Sequence, residues 1–269
     1  MAEDTAQRVS EKTTSRFLGR ENHPIINLKP IGQGTYSIVH FGQYERETRN
    51  SVAIKVATGY HPEYHPVGDE KVREAFELEN KVLRALEQNG SKHTPIVHNY
   101  HEGALPFDRP YIVMDLAQGK CLDDFTYVDV ERNVSRVDER TALEIARQLA
   151  ETLEAAHRAG YAYADWKFLS NLFWDPDRKH LTVVDWNGVR DLTEKERLMN
   201  VYKVSTVIRD LLGLTGSHNL DKSDPKWSKL SSSTKDILMK GQEAKGSETY
   251  TDLETLKTDL GDALAVLGT

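Results

Sequence analysis

Cysteine is nearly absent. A single residue of this type, Cys121, in 269 rules out an intrachain disulfide framework and makes a reducing compartment the simplest expectation. Long apolar runs are missing as well: nowhere do about 18 apolar residues follow one another, and the opening Met1-Ala-Glu-Asp-Thr-Ala6 carries no apolar leader core. A soluble, cytoplasmic chain without a membrane segment is expected. Positive charge is in deficit, with 35 Lys and Arg against 42 Asp and Glu for a net −7, which argues against nucleic acid as a standing partner. No internal repeat is evident. What remains is a chain long enough for one large domain or for two lobes sharing a cleft.

Residues 1–22 are polar and unpatterned, and are expected to form a flexible N-terminal arm. From Ile25 the texture changes. Ile26, Leu28 and Ile31 alternate into Gly32-Gln-Gly34-Thr-Tyr-Ser37-Ile-Val39, and Val39, Phe41 and Tyr44 alternate out of it, predicting two strands joined by a glycine-bearing turn. Such a turn can bring backbone N–H groups close to phosphate, because glycine has no side chain to hold the anion away. Val52-Ala53-Ile-Lys55-Val-Ala57 reads as a third strand with a lysine at its centre, a position that calls for an anionic partner.

Helical spacing supplies one. Residues 69–88 place Val72, Ala75, Phe76, Val82, Leu83 and Leu86 on one face, and Glu79 falls on that same face. A carboxylate among core-facing positions needs a cation, and Lys55 is the natural candidate. Two more strands, near Ile96–Tyr100 and Tyr111–Met114, complete a small, mostly β lobe over 23–117. The rest, 118–269, reads as helical: a long amphipathic helix from Asp138 to a stop at Gly160, a helix over Val201–Leu212 that is apolar almost all round and therefore buried, and two surface helices near Leu230–Met239 and Thr251–Leu267.

Between the first two of these helices lies a concentration of chemistry. Tyr163-Ala164-Asp165-Trp-Lys167-Phe-Leu-Ser170-Asn171 is followed, after a short spacer, by Val183-Val-Asp185-Trp186-Asn187. A carboxylate two residues before a lysine, with an amide a few residues on, suits a site that accepts a hydroxyl proton, neutralises phosphate charge and holds a metal. Asp185, at the end of the apolar run Leu181-Thr-Val-Val184, offers a hard oxygen of the kind that suits Mg²⁺ bridging phosphates.

Taken in order, these motifs resemble a eukaryotic-type protein kinase domain, of the divergent sort found in bacteria, over about Ile25–Leu264. The set is Gly32-x-Gly34-x-x-Ser37-x-Val39, Val52-Ala-Ile-Lys55, Glu79, the hinge-like Met114-Asp115-Leu-Ala117, Tyr163-Ala-Asp165-Trp-Lys167 and Asp185-Trp-Asn187. The resemblance implies an α+β, bilobal protein kinase-like fold with a small antiparallel sheet and one helix in the N-lobe and a helical C-lobe. It implies ATP as cofactor with Mg²⁺, or Mn²⁺ in its place, and a protein as the phosphoryl acceptor. Lys55, held by Glu79, would contact the α- and β-phosphates; Ile31, Gly32, Gly34, Val39, Ala53, Met114, Asp115 and Ala117 would line the nucleotide. Asp165 would be the catalytic base, Lys167 would neutralise the γ-phosphoryl group, and Asp185 and Asn171 would hold the metal. The lysine two residues after the aspartate resembles the serine/threonine branch.

The chain also departs from the family pattern. The metal-binding Asn is expected five residues after Asp165, where Ser170 stands; an inserted residue restores Asn171, and without one Ser170 is a poorer ligand. Ala164 replaces the arginine that pairs with an activation-loop phosphate. Only Gly188–Asn200 separates Asn187 from the buried helix, so the activation segment is expected to be short and its peptide platform small; Thr215–Ser228 is polar and irregular. These departures keep two other readings open, a kinase for a small molecule and a nucleotide-binding pseudokinase scaffold. His61 and His65 read as surface loop residues, Trp166 and Trp174 as packing beneath the loop, Ser231–Ser233 as a helix cap, and Thr13–Ser15 as an autophosphorylation candidate. The sequence leaves the oligomeric state open.

Overall fold

A computed structural model gives the fold, and it describes residues 17–18, 23–34, 37–58, 69–102, 109–126, 137–165, 168–214, 222–242 and 249–268. His61, His65, Thr13–Ser15 and most of the N-terminal arm lie outside these. The chain divides into two units, Met1–Arg84 with Pro95–Ala117, and Ala85–Thr94 with Gln118–Thr269.

The first unit is built on one antiparallel sheet of six strands, β1 (Phe17–Leu18), β2 (Pro24–Gln33), β3 (Ser37–Tyr44), β4 (Glu47–Ala57), β5 (Val97–His101) and β6 (Tyr111–Asp115), in the order β1-β2-β3-β4-β6-β5. Strand alternation sorts its residues by face. Val52, Ile54 and Val56 of β4 bury themselves with Ile25, Tyr44, Tyr111 and Val113. On the opposite face, register sets Gly32, Val39, Lys55 and Ile112 in one cross-strand row and Phe41, Ala53 and Met114 in the next. Helix α1 (Asp69–Gln88), which belongs to this unit as far as Arg84, buries Val72, Phe76, Glu79, Val82 and Leu83 along one stripe.

The second unit contains α2 (Asp123–Thr126), α3 (Glu139–Arg158), α4 (Glu194–Leu211), α5 (Pro225–Lys229), α6 (Ser232–Gln242) and α7 (Leu253–Val266). It also carries β7 (Lys120–Cys121), β8 (Tyr161–Tyr163), β9 (Leu172–Asp175), β10 (His180–Val183) and β11 (Val189–Asp191), arranged as a β10-β9-β7 sheet and a β11-β8 ribbon. Helix α3 starts at Asp138, whose carboxylate accepts from Thr141 N–H at 2.7 Å, and the chain turns out of it through Gly160 at φ +84°. Its buried Gln148 holds the β9–β10 hairpin at two points, donating to Lys179 O and accepting from Leu181 N–H, both at 2.8 Å. Ser231 Oγ accepts from Thr234 N–H at the start of α6. None of the helices among the described residues is long and apolar enough to cross a membrane.

Two sequence expectations need correction. Gly188–Asn200 is not all link to a helix starting at Val201: β11 occupies Val189–Asp191, and α4 already begins at Glu194, with Thr193 Oγ1 accepting from Glu196 N–H. Thr193-x-x-Glu196 is a capping-box spacing, a signal that the charged composition of the stretch obscured. Nor is the buried helix apolar all round: Asn200 and Ser205 are fully buried within it, and Lys203, Arg209 and Asp210 are half-buried.

Candidate active site

In the first unit, the central strand delivers Lys55 to the face that also carries Gly32, Val39, Ala53 and Met114. Lys55 Nζ donates to Glu79 Oε2 at 2.6 Å, with the side chains 7% and 1% exposed, and lies 5.9 Å from the Phe76 ring centroid. An ion pair this dry is sustained only when each charge compensates the other. At the glycine turn, Gly34 N–H donates to Ser37 O at 2.8 Å; Gly32 and Gly34 are exposed, and Ile31 is 50% exposed. At the end of β6, Asp115 is fixed by its N–H to Ile96 O at 3.0 Å and by its carboxylate, which accepts from Ile96 N–H and meets His98 Nε2 at 2.7 Å. His98 Nδ1 in turn meets Tyr44 Oη at 2.7 Å. Ala117, half-buried, follows in the connection out of the unit.

In the second unit, Asp165, Asn171 and Asp185 are linked through Tyr163. A 3₁₀ turn, Phe168–Asn171, brings Asn171 back toward Asp165, so that its amide nitrogen donates to Asp165 Oδ2 at 2.8 Å and to Tyr163 Oη at 2.9 Å. Those two bonds leave over the amide oxygen. Ser170 instead turns its carbonyl toward Cys121 Sγ, at 3.5 Å. Tyr163 is fully buried, donates through its hydroxyl to Val184 O at 3.1 Å, and meets Trp186 edge-on with centroids 4.8 Å apart. Val184 N–H donates to Asn171 O at 2.9 Å, which fixes the chain just before Asp185.

Asp185 itself adopts φ +62°, ψ +63°, a left-handed backbone that aspartate tolerates at a cost. A 3₁₀ turn, Trp186–Gly188, follows, with Trp186 Nε1–H donating to Val183 O at 3.0 Å. Gly188 then passes close beneath the other carboxylate: a Cβ there would lie 3.3 Å from Asp165 Cβ. Gly188 O accepts from Ala164 N–H at 3.1 Å, and β11 continues the ribbon with β8. Lys167 and Trp166 lie outside the described residues, while Trp174, in β9, is buried.

Two residues that sequence reasoning passed over hold this loop from α4. Asn200 accepts from Tyr163 N–H at 3.2 Å and donates to Tyr163 O at 2.7 Å, and His157 Nε2 lies 3.1 Å from its oxygen. Lys203 Nζ donates to Tyr163 O at 2.9 Å and to Asp165 O at 3.3 Å and sits 5.6 Å from the Tyr163 ring centroid. Burial lowers the Lys203 ammonium below the ordinary lysine range, against the attraction of Asp165 and Glu196. An amide on the buried stripe of a helix was the available signal for Asn200.

The donor chemistry fits a hard divalent cation better than a soft one. Asp185 offers carboxylate oxygens and Asn171 an amide oxygen, tied through Val184. No cluster of three or more His, Cys, Asp or Glu able to cage a metal occurs among the described residues. Few protein ligands, with water and phosphate oxygens completing the shell, is the habit of Mg²⁺.

An antiparallel sheet carrying a buried Lys–Glu pair, followed along the chain by a helical unit with an Asp–Asn pair and a left-handed Asp, is the layout of a protein kinase domain. A sequence model described as the protein kinase domain matches residues 25–209, well over half of the 269, and the chain belongs to that family. It is also 27% identical over 158 residues to the "Probable serine/threonine-protein kinase zyg-1" of Caenorhabditis elegans, a match covering 58% of this chain and 19% of that protein. The chain thus spans about a fifth of the length of the curated relative it matches.

Proposed function

We propose that the chain transfers the γ-phosphoryl group of ATP, with Mg²⁺, to a serine or threonine hydroxyl of a protein. The observation that carries this reading is the Asn171–Asp165 bond of 2.8 Å: it uses the amide nitrogen, restrains Asp165, and leaves the amide oxygen to a cation. Asp185 and Asn171 would hold Mg²⁺, which would supply neutralisation of the phosphate charge. Asp165 orients the acceptor hydroxyl and takes its proton. Lys55, oriented by Glu79, binds the α- and β-phosphates, and Lys167 binds the transferring group. The glycine turn approaches the phosphates with its backbone N–H groups, and Ile31, Val39, Ala53, Met114, Asp115 and Ala117 bind the adenosine portion. These are positional and electrostatic tasks, which is what phosphoryl transfer asks of a protein.

A second reading, transfer to a small-molecule hydroxyl, is favoured by one observation: β11 ends at Asp191 and α4 begins at Glu194, leaving a small platform for a peptide. Incubation with labelled ATP and Mg²⁺ or Mn²⁺, offered Ser/Thr peptides and a panel of small hydroxyl compounds, separates the two. Label in a peptide or in the chain itself, lost in Asp165→Asn, supports the first. Label only in a small compound supports the second. Equal label with and without Asp165 refutes both, whereas ATP binding without any label transferred leaves a nucleotide-binding scaffold.

A further inference from the structure

We infer that Lys203 is a positioning residue for Asp165, fixing the direction of its carboxylate from below the loop. The inference rests on the reading of Asp165 as the base. Lys203 stands one helical turn beyond Asn200 on α4, so the two side chains leave the same face and arrive side by side at the loop. Asn200 occupies the N–H and C=O of Tyr163, and Gly188 O occupies the N–H of Ala164. Each of these bonds lies before the Asp165 Cα. The Lys203 ammonium spans the gap, bonded at 2.9 Å to Tyr163 O and at 3.3 Å to Asp165 O, the carbonyl on the far side of that Cα. Tyr163 O belongs to the peptide before Ala164 and Asp165 O to the peptide after Asp165, so holding both brackets the two residues between them and restrains the Asp165 Cα–Cβ vector.

The choice of a lysine is itself informative. A neutral donor could serve two carbonyls without the desolvation that half-burying an ammonium entails. What the cation adds is charge directly behind a carboxylate-bearing residue, and the attraction between Lys203 and Asp165 acts in that sense. Asn171 restrains the Asp165 carboxylate from the other side through Oδ2. The carboxylate is therefore held between an amide donor at its tip and an ammonium beneath its backbone.

The test uses the full chain with Lys203→Met, Lys203→Gln and Lys203→Arg, and Asp165→Asn as control. Three readouts are taken: kcat and KM for ATP in phosphotransfer, thermal unfolding, and amide hydrogen exchange over residues 161–165. For Lys203→Met, kcat is expected to fall about 10- to 100-fold, the scale of a misplacement near 1 Å, with KM for ATP within about twofold. Exchange over 161–165 should quicken about tenfold or more. Lys203→Arg should recover most of both losses, and Lys203→Gln the exchange more than the rate. Wild-type kcat and exchange in Lys203→Met overturn the inference. So does a loss of rate that tracks melting temperature across the series, or failure of all three variants to fold, since either makes the role merely structural. Should the wild type and Asp165→Asn transfer phosphate equally, the functional reading fails, and the exchange result alone decides whether Lys203 anchors the loop.

Discussion

Removing either half of the Lys55–Glu79 pair should destabilise the first unit strongly, and removing both should not. The atoms stand 2.6 Å apart with side chains 7% and 1% exposed, so neither charge can turn to solvent when its partner is lost. Leaving one member of such a pair behind costs about 3–5 kcal/mol, whereas replacing both by apolar groups of similar volume is often neutral or stabilising. Glu79→Ala should therefore lower the melting temperature of the first unit by about 12–40 °C, taking about 4–8 °C per kcal/mol for a unit of this size. Lys55→Met should do the same, because it removes the cation bonded to the buried carboxylate at 2.6 Å. The double variant Lys55→Met with Glu79→Leu should return to within about 1 kcal/mol of the wild type. All four tryptophans fall in the span of the second unit, so their fluorescence follows the wrong half of the chain. Amide exchange of β3, β4 and β6 under increasing urea reads the first unit directly. A double variant as unstable as the sum of its singles refutes the reasoning, since the two charges would then not compensate one another. The same double variant should be inactive in phosphotransfer while fully folded, which separates what the pair does for chemistry from what it does for stability.

Gln148→Leu strands the buried Leu181 N–H and should destabilise the second unit by about 1–3 kcal/mol in urea denaturation followed by tryptophan fluorescence. Gly241→Ala would place its Cβ 1.8 Å from Ser205 Oγ and 2.5 Å from Ser205 Cβ, so α6 must move away from α4 at a cost of about 1–3 kcal/mol. Adding Ser205→Gly should restore most of that loss, whereas Ser205→Ala, which keeps the offending Cβ, should not. Burial holds the His40, His157 and His180 imidazoles below the ordinary histidine range, so the unfolded chain binds protons before the folded one does. Stability should be full above about pH 6.5 and decline as the pH falls from there toward the folded-state values, a trend that His157→Gln should weaken in a chemical-denaturation series.

Much of the first unit is legible in its residues because its chemistry is local to two periodicities. A lysine at the centre of an apolar strand and a glutamate on the apolar stripe of a helix each break a pattern, and the two breaks are of opposite charge. The face shared by Gly32, Val39, Ala53 and Met114 follows from the same two-residue alternation once register is known. What the pattern could not convey is the anchoring of Asp115 by His98 and Ile96. That depends on which strand neighbours β6, and sheet order is not a local property.

In the second unit the limit is different. Spacing alone left Ser170 and Asn171 in competition, since a one-residue insertion cannot be assigned from a single sequence. In the structure Asn171, at the end of the 3₁₀ turn Phe168–Asn171, bonds to Asp165. Asn200 and Lys203 were illegible for a further reason. Helix patterning scores polar residues by the face they avoid, and these two serve a loop that precedes them by 35 residues or more. A buried polar stripe on α4 is intelligible only as the counterpart of the backbone groups that it bonds elsewhere, here the carbonyls of Tyr163 and Asp165. The loop could be read for what its side chains do, but not for what holds its backbone still. It is the second property that decides whether Asp165 and Asn171 keep their geometry.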